Sequence, residues 1–260
     1  MGKGLFIIGT DTGVGKTVVS GAIARALSSA GINVGIMKPI ETGCRRRNGE
    51  LWRSDAIYLK AAARVDDPIE MISPFAYRSP LAPRPASLLE GNEINLDKIA
   101  QAYDQVRRRH PFVIVEGLGG LMVPLTAHAD LPDLIRLIDL PVVLIARSGL
   151  GTLNHSLLTL RYGSELGIHF LGIIFNRTLP SRSLADKTNP ATLAERTEIP
   201  LLGTFPYFKK SGNREKDIRR SEALLMGNES LRRVLLGWAE TAGHDEGIRL
   251  NANEDSPYLL

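Results

Sequence analysis

The stretch Gly9-Thr10-Asp11-Thr12-Gly13-Val14-Gly15-Lys16-Thr17 decides how this chain is read. It follows the short apolar run Leu5–Ile8 and opens a helical segment, Lys16–Ala30, that stops at Gly31. Between a buried strand and a helix start, glycines let backbone N–H groups turn inward, and the helix end adds positive potential. Such a loop cradles phosphate. Gly13, Val14 and Gly15 would surround the anion, Lys16 would reach the β- and γ-phosphates, and the Thr17 hydroxyl would hold Mg²⁺. The interval from Gly9 to Gly15 is one residue longer than in the common motif. A plain tight turn would explain the glycines, but neither Lys16 nor Thr17.

Outward from this loop, short apolar runs alternate with longer amphipathic ones, as in a parallel sheet wrapped by helices. The expected strands are Leu5–Gly9, Val34–Lys38, Phe112–Val115, Val142–Ala146, Leu171–Phe175 and Leu201–Phe205, apolar on both faces as buried parallel strands should be. Helices are expected at Lys16–Ala30, at Leu96–Arg109 with Asn95 as cap, and at Thr152–Leu166 before Gly167. The stretch Ser73–Ala86 carries Pro74, Pro80, Pro83 and Pro85 and reads as a loop, not an element. The expected fold is therefore α/β, of the P-loop nucleotide-binding type: a mostly parallel sheet with helices on both faces. One domain over 1–240 is expected, with a frayed tail over 241–260.

Bulk properties narrow the function. The chain has 260 residues, a net charge of +4 and 43% hydrophobic residues, an ordinary globular composition. Its arginine clusters (Arg45–Arg47, Arg107–Arg109, Arg219–Arg220, Arg232–Arg233) are scattered and lack interleaved aromatics, which argues for solvated surface and against nucleic-acid binding. Cys44 is the single cysteine, so neither a disulfide framework nor a cysteine metal cluster is expected. Leu5–Ile8 is too short for a signal-peptide core, Phe6 breaks a myristoylation pattern after Met1-Gly2, and no run reaches membrane-span length. A cytoplasmic setting is the expectation.

Further candidates lie at the ends of the expected strands. Glu116 closes an apolar strand and precedes Gly117-Leu118-Gly119-Gly120, where backbone can approach a ligand closely. Asp55 follows Ser54 at a helix start; it suits a metal, and equally the positive end of the helix dipole. Thr17, Asp55 and Glu116 would supply the hard oxygens Mg²⁺ prefers. Lys38, in Lys38-Pro39-Ile40-Glu41-Thr42-Gly43, can offset charge on a transferred phosphoryl group, or simply snorkel from the sheet end. Asn176 could meet the N6/N7 edge of adenine, or serve the turn after its strand. Gly9, Lys38, Glu116, Asn176 and Pro206 all fall at carboxyl ends of expected strands, the edge where open α/β sheets bind ligands.

Taken together, the phosphate loop, Lys38-Pro39 with Thr42-Gly43, Ser54-Asp55, Val115-Glu116-Gly117 with Gly119-Gly120 and Pro124-Leu125, Gly151-Thr152-Leu153-Asn154-His155, and Asn176 resemble the dethiobiotin synthase family, over about Leu5–Phe208. The resemblance implies an ATP- and Mg²⁺-dependent closure of a cyclic urea on 7,8-diaminononanoate and CO₂, through a carbamate and a carbamic-phosphoric anhydride. It implies that Thr12, Lys16, Lys38 and Thr42 contact the carbamate or the phosphoryl group, that Gly119 belongs to the nucleotide site, and that Asn176 with Pro206 and Tyr207 holds adenine. It also implies a homodimer in which Gly151, Leu153 and Asn154 of one subunit bind the substrate carboxylate of the other. Thr42 stands where a serine is frequent, Arg84 where a histidine is expected, and no motif follows Lys209.

Two rival readings share the loop. A partition or positioning ATPase would carry a signature lysine where this chain has Asp11. A cobyrinate-type synthase would add a glutaminase domain with a cysteine nucleophile, for which Cys44 is misplaced and no length remains.

Overall fold

The apolar runs read as strands are strands, and they pair side by side in one direction. The computed structural model describes residues 3–180 and 183–243. In chain order, β1 (Gly4–Gly9) runs into α1 (Lys16–Ser29), followed by β2 (Val34–Met37), β3 (Ile40–Glu41), the pair β4 (Arg45–Arg47) and β5 (Glu50–Trp52), and α2 (Ser54–Ala63). Then come α3 (Ile69–Ile72), β6 (Phe75–Ala76), α4 (Pro83–Glu90) and α5 (Leu96–Arg109). The second half alternates regularly: β7 (Phe112–Glu116), α6 (Leu131–Ile138), β8 (Val142–Arg147), α7 (Thr152–Glu165), β9 (Phe170–Asn176), α8 (Leu184–Ala194) and β10 (Leu201–Phe205), then α9 (Arg214–Met226) and α10 (Glu229–Gly243).

The main sheet has six strands in the order β10-β9-β8-β1-β7-β2, all parallel. From β1 the chain first builds β2 and β7 on one side, then crosses to β8, β9 and β10 on the other. That reversal puts the switch point at β1, and the loop after β1 at the crevice where such sheets bind ligands.

Alternation along each strand divides the core into two layers. Leu5 and Ile7 of β1, Ile36 of β2 and Ile114 of β7 face α1, α2, α9 and α10, where they meet Val19, Leu59, Ile218 and Trp238. Phe6 and Ile8 of β1, Val115 of β7 and Leu144 of β8 face the other layer, meeting Val106 of α5, Leu134 of α6 and Leu160 of α7. Ile114 is fully buried; truncating such a side chain to alanine costs about 2–5 kcal/mol, because the cavity closes only partly.

α5 has the expected bounds, with Asn95 Oδ1 accepting from the Lys98 N–H at 3.0 Å. α1 and α7 each end one residue before the expected limit. The loop reading of Ser73–Ala86 is corrected: the segment contains β6, which pairs in parallel with β3, and the start of α4. Pro83 and Pro85 fall in the first turn of α4. There the helix leaves its N–H groups unpaired in any case, so proline costs nothing and its fixed φ favours the helix. β4 and β5 form an antiparallel pair turned by Asn48-Gly49, both at positive φ (53° and 86°), as a two-residue hairpin turn requires. Of the expected tail, 241–243 continue α10; 244–260 lie outside the described residues, as do Met1 and Gly2.

Candidate active site

β1 ends at Gly9, β7 at Glu116 and β9 at Asn176, while Lys38 and Pro206 directly follow β2 and β10. All five therefore stand on the carboxyl edge of the sheet. The chemistry concentrates on Glu116, which is fully buried. A carboxylate removed from water stays ionised only with partners. Glu116 Oε1 accepts from the Lys38 ammonium at 2.8 Å and from the Thr17 hydroxyl at 2.8 Å. Lys38 also donates to the Gly117 carbonyl at 3.0 Å and lies 3.8 Å from Asp55 Oδ2. Burial alone would discharge Lys38, but Glu116 and Asp55 outweigh it and hold its pKa above the ordinary lysine value.

Lys16 is held differently. Its ammonium donates to the carbonyls of Asp11 and Gly119, each at 3.0 Å. Burial, reinforced by the charge on Lys38, brings its pKa down to about 8. Glu116, Asp11 and Asp55 pull the other way without offsetting that burial, and an anion placed directly against the ammonium would raise the pKa again.

Gly15 ends the loop at φ 92°, and a Cβ built there would lie 2.0 Å from Asn176 Nδ2. Only glycine fits. The Asn176 amide nitrogen donates to the Val14 carbonyl at 2.7 Å, fastening the loop to the end of β9. An asparagine so engaged has its oxygen left for a ligand, not both edges of its amide.

These groups surround a cavity of about 690 Å³. Thr12, Gly13, Gly15, Lys16, Thr17, Lys38, Thr42, Asp55, Glu116 and Gly119 all line it, so ten sequence-predicted residues come to one place. Val14, Asn176, Pro206, Tyr207, Gly151, Leu153 and Asn154 are not among its lining. Gly151 caps the start of α7 beside Leu150, which is 90% exposed, so that loop faces outward. Arg84 is half-buried in the first turn of α4, and the lining there comes from Pro80–Pro83.

The sequence reading missed Glu41, Pro80–Pro83 and Lys210 as cavity residues. Glu41 stood in the quoted Lys38–Gly43 stretch without a role; its carboxylate type was the available signal. Lys210 follows β10 in a segment with no periodicity to flag it. Burial, with Asp55 alongside, holds the Glu41 carboxyl above the usual range, against the pull of its hydrogen bonds to Asp55 and Ala56. Burial and the charge of Glu41 push the Cys44 thiol up to about 12, so it is no nucleophile.

The donor set suits magnesium. Glu116 Oε2 is buried with no hydrogen-bond partner, beside the Thr17 hydroxyl on the Oε1 side. An orphaned buried carboxylate oxygen calls for an occupant. Among the described residues no group of three or more His, Cys, Asp or Glu could hold a metal. Mg²⁺ needs none, since it is held by one or two carboxylates, a hydroxyl, waters and phosphate. Nor, among the described residues, is any helix long and apolar enough to cross a membrane.

Comparison with known proteins separates the remaining readings. A family model described as an AAA domain matches residues 3–215. The ATP-dependent dethiobiotin synthetase BioD of Thermodesulfovibrio yellowstonii is 41% identical over 215 residues, covering 80% of this chain and 90% of the relative. The protein of the same name from Anaeromyxobacter sp. (strain K) is 42% identical over 205 residues, covering 79% and 90%, and that of Bacillus subtilis is 37% identical over 204 residues, covering 78% and 87%. Among solved structures, a ParA family ATPase from Chlorobium tepidum aligns with a TM-score of 0.53 at 13% identity, over 92% of this chain and 99% of its own. The septum site-determining protein MinD of Pyrococcus horikoshii, complexed with Mg-ADP, aligns at 0.51 and 16%, over 93% and 96%. At those identities the likeness shows the P-loop α/β fold alone, and the positioning-ATPase reading gains nothing from it. The relatives that share about two-fifths of the residues across four-fifths of the chain are synthetases, and this chain belongs to the ATP-dependent dethiobiotin synthetase family.

Proposed function

We propose that the chain closes the cyclic urea of dethiobiotin on 7,8-diaminononanoate, with ATP and CO₂ as co-substrates. The observation that carries the reading is the meeting of Lys16, Lys38, Thr42, Asp55 and Glu116 around one cavity on the phosphate loop. In the first step one substrate amine adds to CO₂ and loses a proton, giving a carbamate. A carbamate oxygen then attacks the γ-phosphorus, and the bond to ADP breaks. The second amine attacks the carbonyl carbon of the mixed anhydride, loses a proton and expels phosphate, which keeps one oxygen that came from CO₂.

Each residue has a place in this sequence. Lys16 and Lys38 offset the charge that spreads over the transferred phosphoryl oxygens, in a site already set for it. Thr12 and Thr42 offer hydroxyls to the carbamate or phosphoryl group. Thr17, Asp55 and Glu116 would hold Mg²⁺, which when bound neutralises phosphate charge and orients the γ-phosphate. Asn176, its nitrogen engaged by Val14, offers its oxygen to the adenine amino group, with Pro206 and Tyr207 beside it. Gly151, Leu153 and Asn154 open α7 with free backbone N–H groups, a suitable seat for the substrate carboxylate of a second subunit in a homodimer. The reading takes 1–240 as one catalytic domain and the cytoplasm as its setting.

The test is product formation by purified protein with ATP, Mg²⁺, diamine and bicarbonate. Dethiobiotin and phosphate should appear together, and phosphate release should collapse when the diamine is left out. Equal phosphate release without diamine would make this an ATPase of another kind.

A further inference from the structure

Helix α2 carries Asp55 in its first turn, yet its N-cap residue, Arg53, makes no side-chain cap. The cap comes from far back in the chain. Glu41 Oε1 accepts from the Asp55 N–H at 3.0 Å and from the Ser54 hydroxyl at 3.2 Å, and Glu41 Oε2 accepts from the Ala56 N–H at 3.1 Å. Glu41 is only 5% exposed, and its backbone is stitched into β3, where its carbonyl accepts from Tyr77 N–H at 2.8 Å. It belongs to the same short segment as Lys38 and Thr42, and all three line the cavity.

A serine or aspartate at position 53 would satisfy the same N–H groups locally. It would not tie the helix to the Lys38–Thr42 segment. The remote carboxylate does both, and it leaves Asp55 Oδ2 3.8 Å from Lys38 Nζ. We infer that Glu41 is a positioning residue for the metal site, fixing the first turn of α2 so that Asp55 meets the cation together with Glu116 and Thr17. The inference rests on the reading of Asp55 as a magnesium ligand. Ligand orientation of this kind is worth about 10–100-fold in metal affinity.

The experiment titrates free Mg²⁺ twice, for the native protein, Glu41→Gln, Asp55→Asn and the double variant. One titration reads equilibrium binding to the protein loaded with a non-hydrolysable ATP analogue, the other the steady-state reaction at saturating ATP, diamine and bicarbonate. Glu41→Gln keeps the size but replaces one accepting oxygen with a donor that faces N–H groups. It should raise the half-saturating Mg²⁺ concentration by about tenfold, with the diamine KM within about twofold of native. In the Asp55→Asn background the same substitution should add nothing, because its effect runs through Asp55. Ser54→Ala removes one donor and no charge, and should raise the Mg²⁺ requirement by about threefold, the worth of one modest hydrogen bond. It stands as the readout if Glu41→Gln does not fold. An unchanged Mg²⁺ requirement in Glu41→Gln (or in Ser54→Ala, if that is the readout), effects of Glu41→Gln and Asp55→Asn that multiply, or a loss confined to the diamine KM would overturn the inference while leaving Asp55 as a ligand. An unchanged requirement in Asp55→Asn would overturn the ligand reading and the inference together.

Discussion

Lys38→Gln removes the cation that pairs with the fully buried Glu116 carboxylate, and the structure sets what should follow. Three oxygens share the ammonium: Glu116 Oε1 at 2.8 Å, the Gly117 carbonyl at 3.0 Å and Asp55 Oδ2 at 3.8 Å. Without it, Glu116, Asp55 and Glu41 share the cavity with only Lys16 and Lys210 among the lining lysines. Breaking a buried ion pair costs about 3–5 kcal/mol. The glutamine amide can still donate to Glu116, so the lower end, about 3 kcal/mol, is the expectation for this variant. For a chain of this size that is a fall in Tm of about 6–12 °C, at about 2–4 °C per kcal/mol. Lys38→Met, which donates nothing, should fall further. Mg²⁺ should restore more stability to either variant than to the native protein, since the cation replaces the missing charge beside Glu116. The sign with pH follows from a lysine pKa raised on folding. The contribution of Lys38 is fully present below 10.5 and is lost only as pH rises through its higher folded value, so the Tm gap should stay constant from neutral pH to about 9. The kcat of Lys38→Gln should drop by about 10²–10³-fold, the usual loss for one electrostatic group at a transition state. ATP affinity, measured by equilibrium binding without turnover, should change little. A kcat within about threefold of native would reduce Lys38 to a lysine that packs at the sheet end, and the reasoning would fail.

Lys16 should make ATP binding depend on pH. Its pKa near 8 in the empty site must rise when phosphate binds, so binding takes up a proton above that value and weakens as pH rises. The ATP Kd should increase about tenfold from pH 7 to 9, and Lys16→Gln should bind more weakly with a flat profile; a flat native profile would refute the assignment. Gly15→Ala places a Cβ 2.0 Å from the Asn176 amide at φ 92°, so strain and the lost Val14 bond together should cost about 2–3 kcal/mol by chemical denaturation. Unaltered stability would mean that the loop does not need this approach. Mixing Gly151→Trp with Lys38→Gln subunits should recover part of the activity if the carboxylate loop crosses to a partner. No recovery, with subunit exchange demonstrated, would place the whole site in one chain.

What the sequence makes legible here follows from where the determining interaction sits. Most of the six parallel strands are visible because they are apolar on both faces, as in Phe112-Val113-Ile114-Val115, while β10, interrupted by Gly203 and Thr204, carries the weakest signal. α5 is visible to the residue because its stop and start are local: Asn95 before it, and Pro111 just past the His110 C-cap. The proline-rich segment misled because four prolines suggest a break, whereas two of them occupy a first helical turn that needs no N–H. β3 and β6 have two residues each and no period to detect, and the Asn48-Gly49 turn signal was present but lay among arginines taken for plain surface. Of the ten lining residues, Lys38 and Glu116 were legible through their strand-end positions, and Gly13, Gly15, Lys16 and Thr17 through the loop between strand and helix. Gly119 was legible through the glycines after Glu116 and Asp55 through a helix start, whereas Thr12 and Thr42 came only with the family resemblance. Glu41 was not legible, because its partners lie up to fifteen residues further along and nothing local marks a carboxylate as the cap of another element.

The central claim is that a carbamate oxygen, not water, attacks the γ-phosphate, and the fate of that oxygen tests it most directly. Freshly added ¹⁸O-bicarbonate, with ATP, Mg²⁺ and 7,8-diaminononanoate, should place one labelled oxygen in each phosphate released during the first turnovers, before exchange with water dilutes the label. Phosphate whose new oxygen comes from labelled water instead would mean simple hydrolysis, and the ring-closing account would be contradicted.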